Sequence, residues 1–144
     1  MTRAPTEEKD DAVKDAFYAN LEDLYDICPA YNSKIVLGDF NAMVGQESIF
    51  GPTVGQFSLH STTPLNGVRL IDFAATRNMV VCSTRFQHLD IHKATWLSPD
   101  RSTRNQIDHV VIDGRYEGCY MSAYSVIQTW TRTTSLPQPR CECT

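Results

Sequence analysis

A short apolar run near the start of the chain gives the clearest structural prediction. Residues 35–37 are Ile, Val and Leu, and Gly38, Asp39 and Asn41 follow at once. A continuous apolar run that ends in turn-forming residues predicts a strand buried on both faces. We expect Gly38 to let the chain turn sharply as it leaves the sheet, which would place Asp39 and Asn41 where open α/β sheets bind ligands. An ordinary strand exit with an Asx turn is the alternative.

Helical periodicity predicts two helices that pack onto this strand. The first begins near Thr6 as its N-cap. Its apolar positions recur at steps of three and four: Val13, Phe17, Leu21, Leu24 and Cys28. The second helix, predicted over residues 68–78, would bury Leu70, Phe73 and Ala74.

The segment between these helices, residues 40–64, is rich in Gly, Ser and Thr and has no clear period. It predicts a long loop, and long loops in compact domains are often functional. His60 in this loop is a candidate phosphate contact, with a solvated surface histidine as the alternative.

Further strands are predicted at residues 79–82, 94–97, 105–112 and, more weakly, 120–127. Residues 98–102 have the composition of a hairpin turn. Beyond residue 129 there is neither a period nor an obvious core residue. The sequence therefore predicts one domain over residues 1–128 and a disordered tail over residues 129–144.

Asp108 stands among β-branched strand residues, where burying a carboxylate is costly unless it is paired or coordinates a cation. We expect Asp108 to orient a histidine or help to hold a divalent metal, with exposure on a half-buried strand as the alternative. Because adjacent strand residues face opposite sides, His109 is expected to be structural. Thr95 could reach a phosphate oxygen from the same sheet edge. Trp96 is interpreted as a core aromatic or, if exposed, as a platform for a base or sugar.

Composition and charge restrict the class of protein. With 144 residues, 42% hydrophobic and 21% charged, the chain is expected to fold as one soluble globular domain. The formal charge of −4 and the absence of a Lys/Arg block argue against a non-specific nucleic-acid binder, so any DNA contact should be local and helped by a cation. No apolar run approaches the roughly 20 residues of a membrane span, and no signal core opens the chain. We expect an intracellular protein, nuclear or cytoplasmic, that is neither secreted nor bound to a membrane.

Six segments spread over residues 3–115 carry a family resemblance: Arg3-Ala4-Pro5-Thr6, Asp15-Ala16-Phe17-Tyr18, Val36-Leu37-Gly38-Asp39-Phe40-Asn41-Ala42, Asn66-Gly67-Val68-Arg69-Leu70-Ile71-Asp72-Phe73, His92-Lys93-Ala94-Thr95-Trp96 and Asn105-Gln106-Ile107-Asp108-His109. In this order and spacing they resemble the endonuclease/exonuclease/phosphatase superfamily. Within it they resemble the apurinic-endonuclease-like domain of RTE-type LINE retrotransposons, a kind of domain also found in craniofacial development protein 2-like proteins.

The resemblance implies an α/β fold, namely part of a four-layer, DNase I-like α/β sandwich with a mixed sheet and outer helices. It also implies hydrolysis of DNA phosphodiesters with Mg²⁺, or Mn²⁺ in its place. Asp39 would activate or position the attacking water, and Asn41 would hold that water and the scissile phosphate. Thr95 would lie against the phosphate with Trp96 nearby, and Asp108 would orient a catalytic histidine. Asp39 and Asp108 are also the expected metal ligands.

The chain departs from this family in three places. The half that carries an asparagine and the metal-binding glutamate would lie before Met1, and Arg3 stands where a tyrosine is usual. Residues 122–144, where a Ser-Asp-His strand is expected, contain no histidine. We therefore expect part of a Mg²⁺-dependent endonuclease that is weak or inactive alone. The alternative is a non-catalytic retroelement remnant that acts, if at all, as an interaction module.

Two further expectations follow from these departures. Half of a two-sheet sandwich would expose an apolar sheet face, which predicts self-association. A metal-binding or redox module built on Cys141 and Cys143 is the least supported function, because no further ligand is suitably spaced.

Overall fold

The computed structural model describes residues 2–87 and 93–118. The strand predicted over residues 120–127, the tail predicted over residues 129–144, and Cys141 and Cys143 lie outside the described residues.

Four strands form a mixed main sheet, and two more form a separate hairpin. The strands are β1 (Thr2–Arg3), β2 (Ile35–Asp39), β3 (Met79–Val81), β4 (Trp96–Leu97), β5 (Arg104–Asn105) and β6 (Asp108–Asp113). The spatial order of the main sheet is β1-β2-β6-β3, with β1 parallel to β2 and β6 antiparallel to both β2 and β3. The hairpin pairs β4 with β5. Together with two helices, this sheet confirms the predicted α/β class.

Helix α1 (Asp11–Ile27) begins four residues later than predicted, with Asp10 rather than Thr6 as its N-cap. The chain first stays on the sheet edge, where the Ala4 N–H donates to the Asp39 carbonyl over 2.8 Å, and then turns at Thr6. Only after this turn does the helix begin.

The inner face of α1 agrees with the predicted face only in part. Leu21 is buried and Phe17 packs against the core as predicted, whereas Val13, Leu24 and Cys28 are exposed. Lys14 and Tyr18 are buried in their place. Lys14 can occupy this face because its aliphatic stem is buried while its Nζ donates to the Glu7 carbonyl over 2.7 Å.

Helix α2 (Leu65–Thr76) confirms the predicted inner face, since Leu70, Phe73 and Ala74 are all buried. The loop over residues 40–64 contains one short 3₁₀ turn, Ser48–Phe50, and otherwise lacks helices and strands. This loop is nevertheless part of the core, because Phe40, Ala42 and Val44 are fully buried. No helix in the described part of the chain is long and apolar enough to cross a membrane.

The prediction that β2 is buried on both faces is wrong. Val36 and Gly38 face the helices, whereas Ile35 and Leu37 on the opposite face are 43% and 37% exposed. A parallel, fully covered strand and a half-covered strand both look like a continuous apolar run in the sequence.

Gly38 does not make the predicted turn, because β2 continues through Asp39 and the left-handed residue is Asn41, with φ of 45°. Glycine is required at position 38 for a different reason. A Cβ atom there would collide with the Thr2 carbonyl oxygen of the neighbouring strand β1.

The single strand predicted over residues 105–112 is divided between β5 and β6. Gln106 lies between the two strands and is buried. Its N–H donates to His60 Nε2, and its side-chain oxygen accepts from the Leu59 N–H, both over 3.2 Å. These bonds attach Gln106 to the long loop. The pairing with β4 therefore ends at Asn105, and the pairing with β2 begins at Asp108. The predicted strand over residues 79–82 likewise ends at Val81, where a 3₁₀ turn, Cys82–Thr84, begins.

Candidate active site

Two carboxylates meet at the end of the main sheet. Asp39 ends β2 and pairs directly with Asp108, which begins β6. The Phe40 N–H donates to the Ile107 carbonyl over 3.0 Å, so the preceding pair, Asp39 and Asp108, is the type without its own backbone hydrogen bonds. Such pairs bring the two Cα atoms to about 4.5 Å, with both side chains on one face.

The two carboxylates repel one another. Burial raises the pKa of Asp108, and the negative charge of Asp39 raises it further, although a hydrogen bond from Thr95 opposes the shift. Arg3 lies on the other side of Asp39, with Nε 3.6 Å from the carboxylate. Because Arg3 is highly exposed, this ion pair stabilises the site little. A cation between the carboxylates would relieve the repulsion more effectively.

Asn41 is held beside Asp39 by hydrogen bonds from three directions. Its N–H donates to Asp39 Oδ1 over 3.0 Å, and its Nδ2 donates to the Ala4 carbonyl over 2.6 Å. Its own carbonyl accepts from Asn66 Nδ2 over 3.1 Å. Asn66 also donates to the Pro5 carbonyl over 3.3 Å, so it connects the start of α2 to both segments. No local pattern around Asn66 predicts this role.

Thr95 supports Asp108 in the described structure. Its Oγ1 accepts the N–H groups of Ile107 and Asp108 over 3.0 and 3.1 Å. The Thr95 hydroxyl also lowers the pKa of the nearby Asp108 carboxylate. Thr95 therefore anchors the start of β6 through its side-chain oxygen.

Trp96 follows Thr95 on the separate β4–β5 hairpin and is 41% exposed. Its interpretation as a core aromatic is therefore wrong, and its ring is accessible for stacking. His60 is half-buried, and its Nε2 accepts the Gln106 N–H. Burial lowers the pKa of His60, which favours a neutral ring within the long loop over the fully solvated alternative.

His109 lies on the opposite face of β6 from Asp108, in agreement with the predicted structural role. It is 2% exposed, with Ser83 Oγ 2.8 Å from Nδ1 and the Ala42 carbonyl 2.7 Å from Nε2. Since a carbonyl can only accept, Nε2 carries the proton and Nδ1 accepts from the Ser83 hydroxyl. Burial lowers the pKa of His109 to about 4. This neutral ring joins the loop to the sheet and is remote from solvent.

The carboxylate pair suits part of a magnesium site. Mg²⁺ prefers oxygen ligands and is often held by one or two carboxylates, with water and substrate phosphate completing its shell. Among residues 2–87 and 93–118 there is no cluster of three or more His, Cys, Asp or Glu side chains that could hold a metal. Asp39 and Asp108 therefore fit a cation whose remaining ligands are water molecules or phosphate oxygens.

The fold and this site define an α/β protein with paired carboxylates at the edge of a mixed sheet. Over 120 residues the chain is 36% identical to craniofacial development protein 2 of Tragulus javanicus, a match that covers 83% of this chain and 21% of that protein. It is 35% identical to craniofacial development protein 2 of Bos taurus, again over 120 residues, 83% of this chain and 20% of that protein. The chain is thus homologous to proteins of this name and matches about a fifth of their length. No protein-family model matches the chain, and no solved structure matches it significantly.

Proposed function

We propose that this chain carries part of the site of a Mg²⁺-dependent DNA endonuclease, and that it hydrolyses DNA weakly or not at all by itself. The observation that supports this proposal is the direct pairing of Asp39 with Asp108, with Asn41 fixed alongside. The resemblance to the apurinic-endonuclease-like domain of RTE-type retrotransposons, a member of the endonuclease/exonuclease/phosphatase superfamily, points to the same chemistry.

In this proposal Asp39 and Asp108 hold the metal. Mg²⁺, when bound, supplies positive charge for the phosphate oxygens and lowers the pKa of a bound water. Asp39 accepts a hydrogen bond from the attacking water and orients it, while the Asn41 amide donates to the phosphate. Thr95 keeps Asp108 in place, and the exposed Trp96 ring stacks on a base or sugar.

The expected low activity follows from groups that this site lacks among the described residues. Asp108 is bonded there to Thr95 and not to a histidine, and no third metal-binding side chain joins the pair. A general acid or base, or one fixed donor to the transition state, is worth on the order of 10²- to 10⁴-fold in rate. Without several such groups, hydrolysis falls towards the background.

The experiment combines metal binding with DNA nicking. Mn²⁺ binding is measured by titration calorimetry for the wild type, Asp39→Asn, Asp108→Asn and the control Asp23→Asn, which removes an exposed carboxylate from α1. We expect either site variant to weaken Mn²⁺ binding at least about tenfold and the control to leave it unchanged. Nicking of supercoiled plasmid should be slow, should occur with Mg²⁺ but not with EDTA, and should disappear in Asp39→Asn. Equal Mn²⁺ binding by all four proteins would refute the proposed site.

A second candidate function, a non-catalytic interaction module, is favoured by the exposed apolar face of β2. Ile35 and Leu37 stand on this face in line with the carboxylates. In this alternative the chain associates with itself through that face. Light scattering should then show concentration-dependent oligomers that Ile35→Ser dissociates. The control Ile49→Ser, at an 82% exposed isoleucine in the loop, should have no effect; equal effects of the two variants would contradict a specific interface.

A further inference from the structure

An open cavity lies at the end of the main sheet opposite the carboxylate pair. Its volume is about 520 Å³, within the usual range for small-molecule sites. Lys34, which precedes β2, and Asp113, which ends β6, both line it. Because β2 spans five residues, this cavity lies roughly 16 Å from Asp39 along the strand. It is therefore separate from the proposed endonuclease site.

Three cationic side chains line the cavity. The Lys34 ammonium lies 3.8 Å from the centre of the Tyr25 ring, and the Arg77 guanidinium lies 5.5 Å from the same centre. Arg115 provides the third positive charge and also donates to the Ala30 carbonyl over 2.9 Å. Lys34 and Arg77 both lie over the Tyr25 ring, so a ligand in the cavity would contact the positive groups and not the ring.

The carboxylates around the cavity do not neutralise these cations equally. Asp113 accepts hydrogen bonds from the Arg115 side chain, from Nη2 over 2.6 Å and from Nε over 3.1 Å. Arg77 faces Glu22 and Asp26 only at 3.5 and 3.7 Å, and both of these carboxylates are well exposed. Because both carboxylates are well exposed and neither makes a close contact with Arg77, a ligand oxygen can compete with them for the guanidinium.

Lys34 and Arg77 retain donor capacity for a ligand. Among the described residues no carboxylate lies within ion-pair distance of the Lys34 ammonium, although Lys34 lies close enough to lower the pKa of Asp113. The Arg77 side chain is only 17% exposed, and its Nη1 donates to Thr76 Oγ1 over 3.2 Å, which leaves the weakly paired Nη2 as its donor for a ligand. An oxygen ligand would give Nη2 a shorter, charge-assisted hydrogen bond than Glu22 and Asp26 provide.

We propose that this cavity binds a phosphate group, with Lys34 and Arg77 as its main contacts and Arg115 at its rim. A planar guanidinium and an ammonium suit the several acceptor oxygens of a phosphate. Free phosphate and the phosphate monoester of a nucleotide share this chemistry. The proposal does not depend on the endonuclease function, because none of its residues belongs to the carboxylate pair.

The test is a titration of the full chain with inorganic phosphate and with AMP, at constant ionic strength maintained with chloride. Backbone amide NMR shifts locate the site, and calorimetry gives the affinity. We expect saturable millimolar binding, with shifts concentrated at Lys34, Asn78 and Arg115. Lys34→Gln should weaken binding on the order of tenfold, since a charged hydrogen bond contributes about that much. The control Lys9→Gln removes an exposed lysine elsewhere and should leave the affinity unchanged.

Each outcome decides the proposal. Tighter binding of AMP than of phosphate identifies a nucleotide as the source of the phosphate group, and equal binding identifies the free ion. Shifts scattered over the surface, no saturation, or equal weakening by Lys34→Gln and Lys9→Gln would overturn the proposal. Asp39→Asn should bind phosphate as the wild type does, so failure of the endonuclease proposal would be seen separately.

Discussion

The buried His109 should make the stability of this protein fall in mild acid. Its ring lies between Ser83 and the Ala42 carbonyl, and burial lowers its pKa from the ordinary 6.5 to about 4. Between these two values the unfolded chain binds a proton that the folded chain excludes. The free energy of unfolding therefore falls as the pH falls through this window, and the stabilisation is fully present above it.

The magnitude follows from the width of that window. One unit of pKa difference corresponds to about 1.4 kcal/mol, so the complete effect is about 3 kcal/mol below the folded pKa. About 2 kcal/mol of this should be lost between pH 7.5 and pH 5. His60 contributes in the same direction, because burial lowers its pKa too. A single-histidine variant is therefore needed to separate the two rings.

The assay is urea unfolding at both pH values for the wild type, His109→Gln and the comparison variant His60→Gln. His109→Gln should be less stable at neutral pH, yet it should lose about 2 kcal/mol of the wild-type pH dependence. His60→Gln should lose a smaller part of the pH dependence of the free energy of unfolding. If His109→Gln does not fold, NMR titration of the wild-type imidazole gives the same answer, since His109 should remain neutral at about pH 5. An unchanged pH dependence, or a ring that protonates near its ordinary pKa, would refute the reasoning.

Three further changes should alter stability in defined directions. Asp108→Asn should raise the melting temperature at neutral pH, because burial and the charge of Asp39 disfavour the ionised Asp108, and a lower value would contradict the repulsion. Gly38→Ala should lower the free energy of unfolding by about 1–3 kcal/mol, since the new methyl group collides with the Thr2 carbonyl; denaturant titration tests this. Leu70→Ala should cost about 2–5 kcal/mol by the same measurement, because Leu70 is fully buried in the core.

The sequence predicted those elements whose pattern depends on local spacing. The inner face of α2 was correct because its apolar residues recur at an unambiguous helical period. On α1 the same rule was correct for Phe17 and Leu21 but wrong for Val13 and Leu24, because Lys14 and Tyr18 occupy the inner face beside them. Of the two interpretations of Trp96, the core aromatic was wrong, because its hairpin lies outside the main sheet and leaves the ring 41% exposed. Whether an apolar side chain is covered depends on tertiary contacts, which the local pattern does not contain.

The candidate site was predictable to a similar extent. Asp39 and Asn41 were identified from an abrupt strand exit, and Asp108 from a carboxylate among β-branched residues, and the structure places all three at one end of the sheet. The contacts that hold them were not predictable. Asn66 reaches the Asn41 carbonyl across 25 residues, and Arg3 reaches Asp39 across a parallel strand pair. Such long-range partners leave no periodic signal in the sequence.

The exposed apolar face and the carboxylate pair are one continuous surface, which couples two of the proposals made above. Along β2, Ile35, Leu37 and Asp39 share a face. On the neighbouring strand β6, Val110 pairs with Leu37 and Asp108 pairs with Asp39 on that same face. Any surface that covers Leu37 and Val110 also withdraws water from the carboxylates beside them. Two like charges in a drier site repel more strongly, so association should favour the cation-bound form.

Linkage then requires the reverse effect, in which the cation promotes association. Adding Mn²⁺ should lower the protein concentration at which oligomers form, as measured by light scattering. Asp39→Asn and Ile35→Ser should each abolish this shift, the first by removing a ligand and the second by removing apolar contact remote from the metal. If Mn²⁺ binds at the pair and leaves the association midpoint of the wild type unchanged, the apolar face and the metal site act independently. The self-association surface would then have to lie elsewhere on the protein.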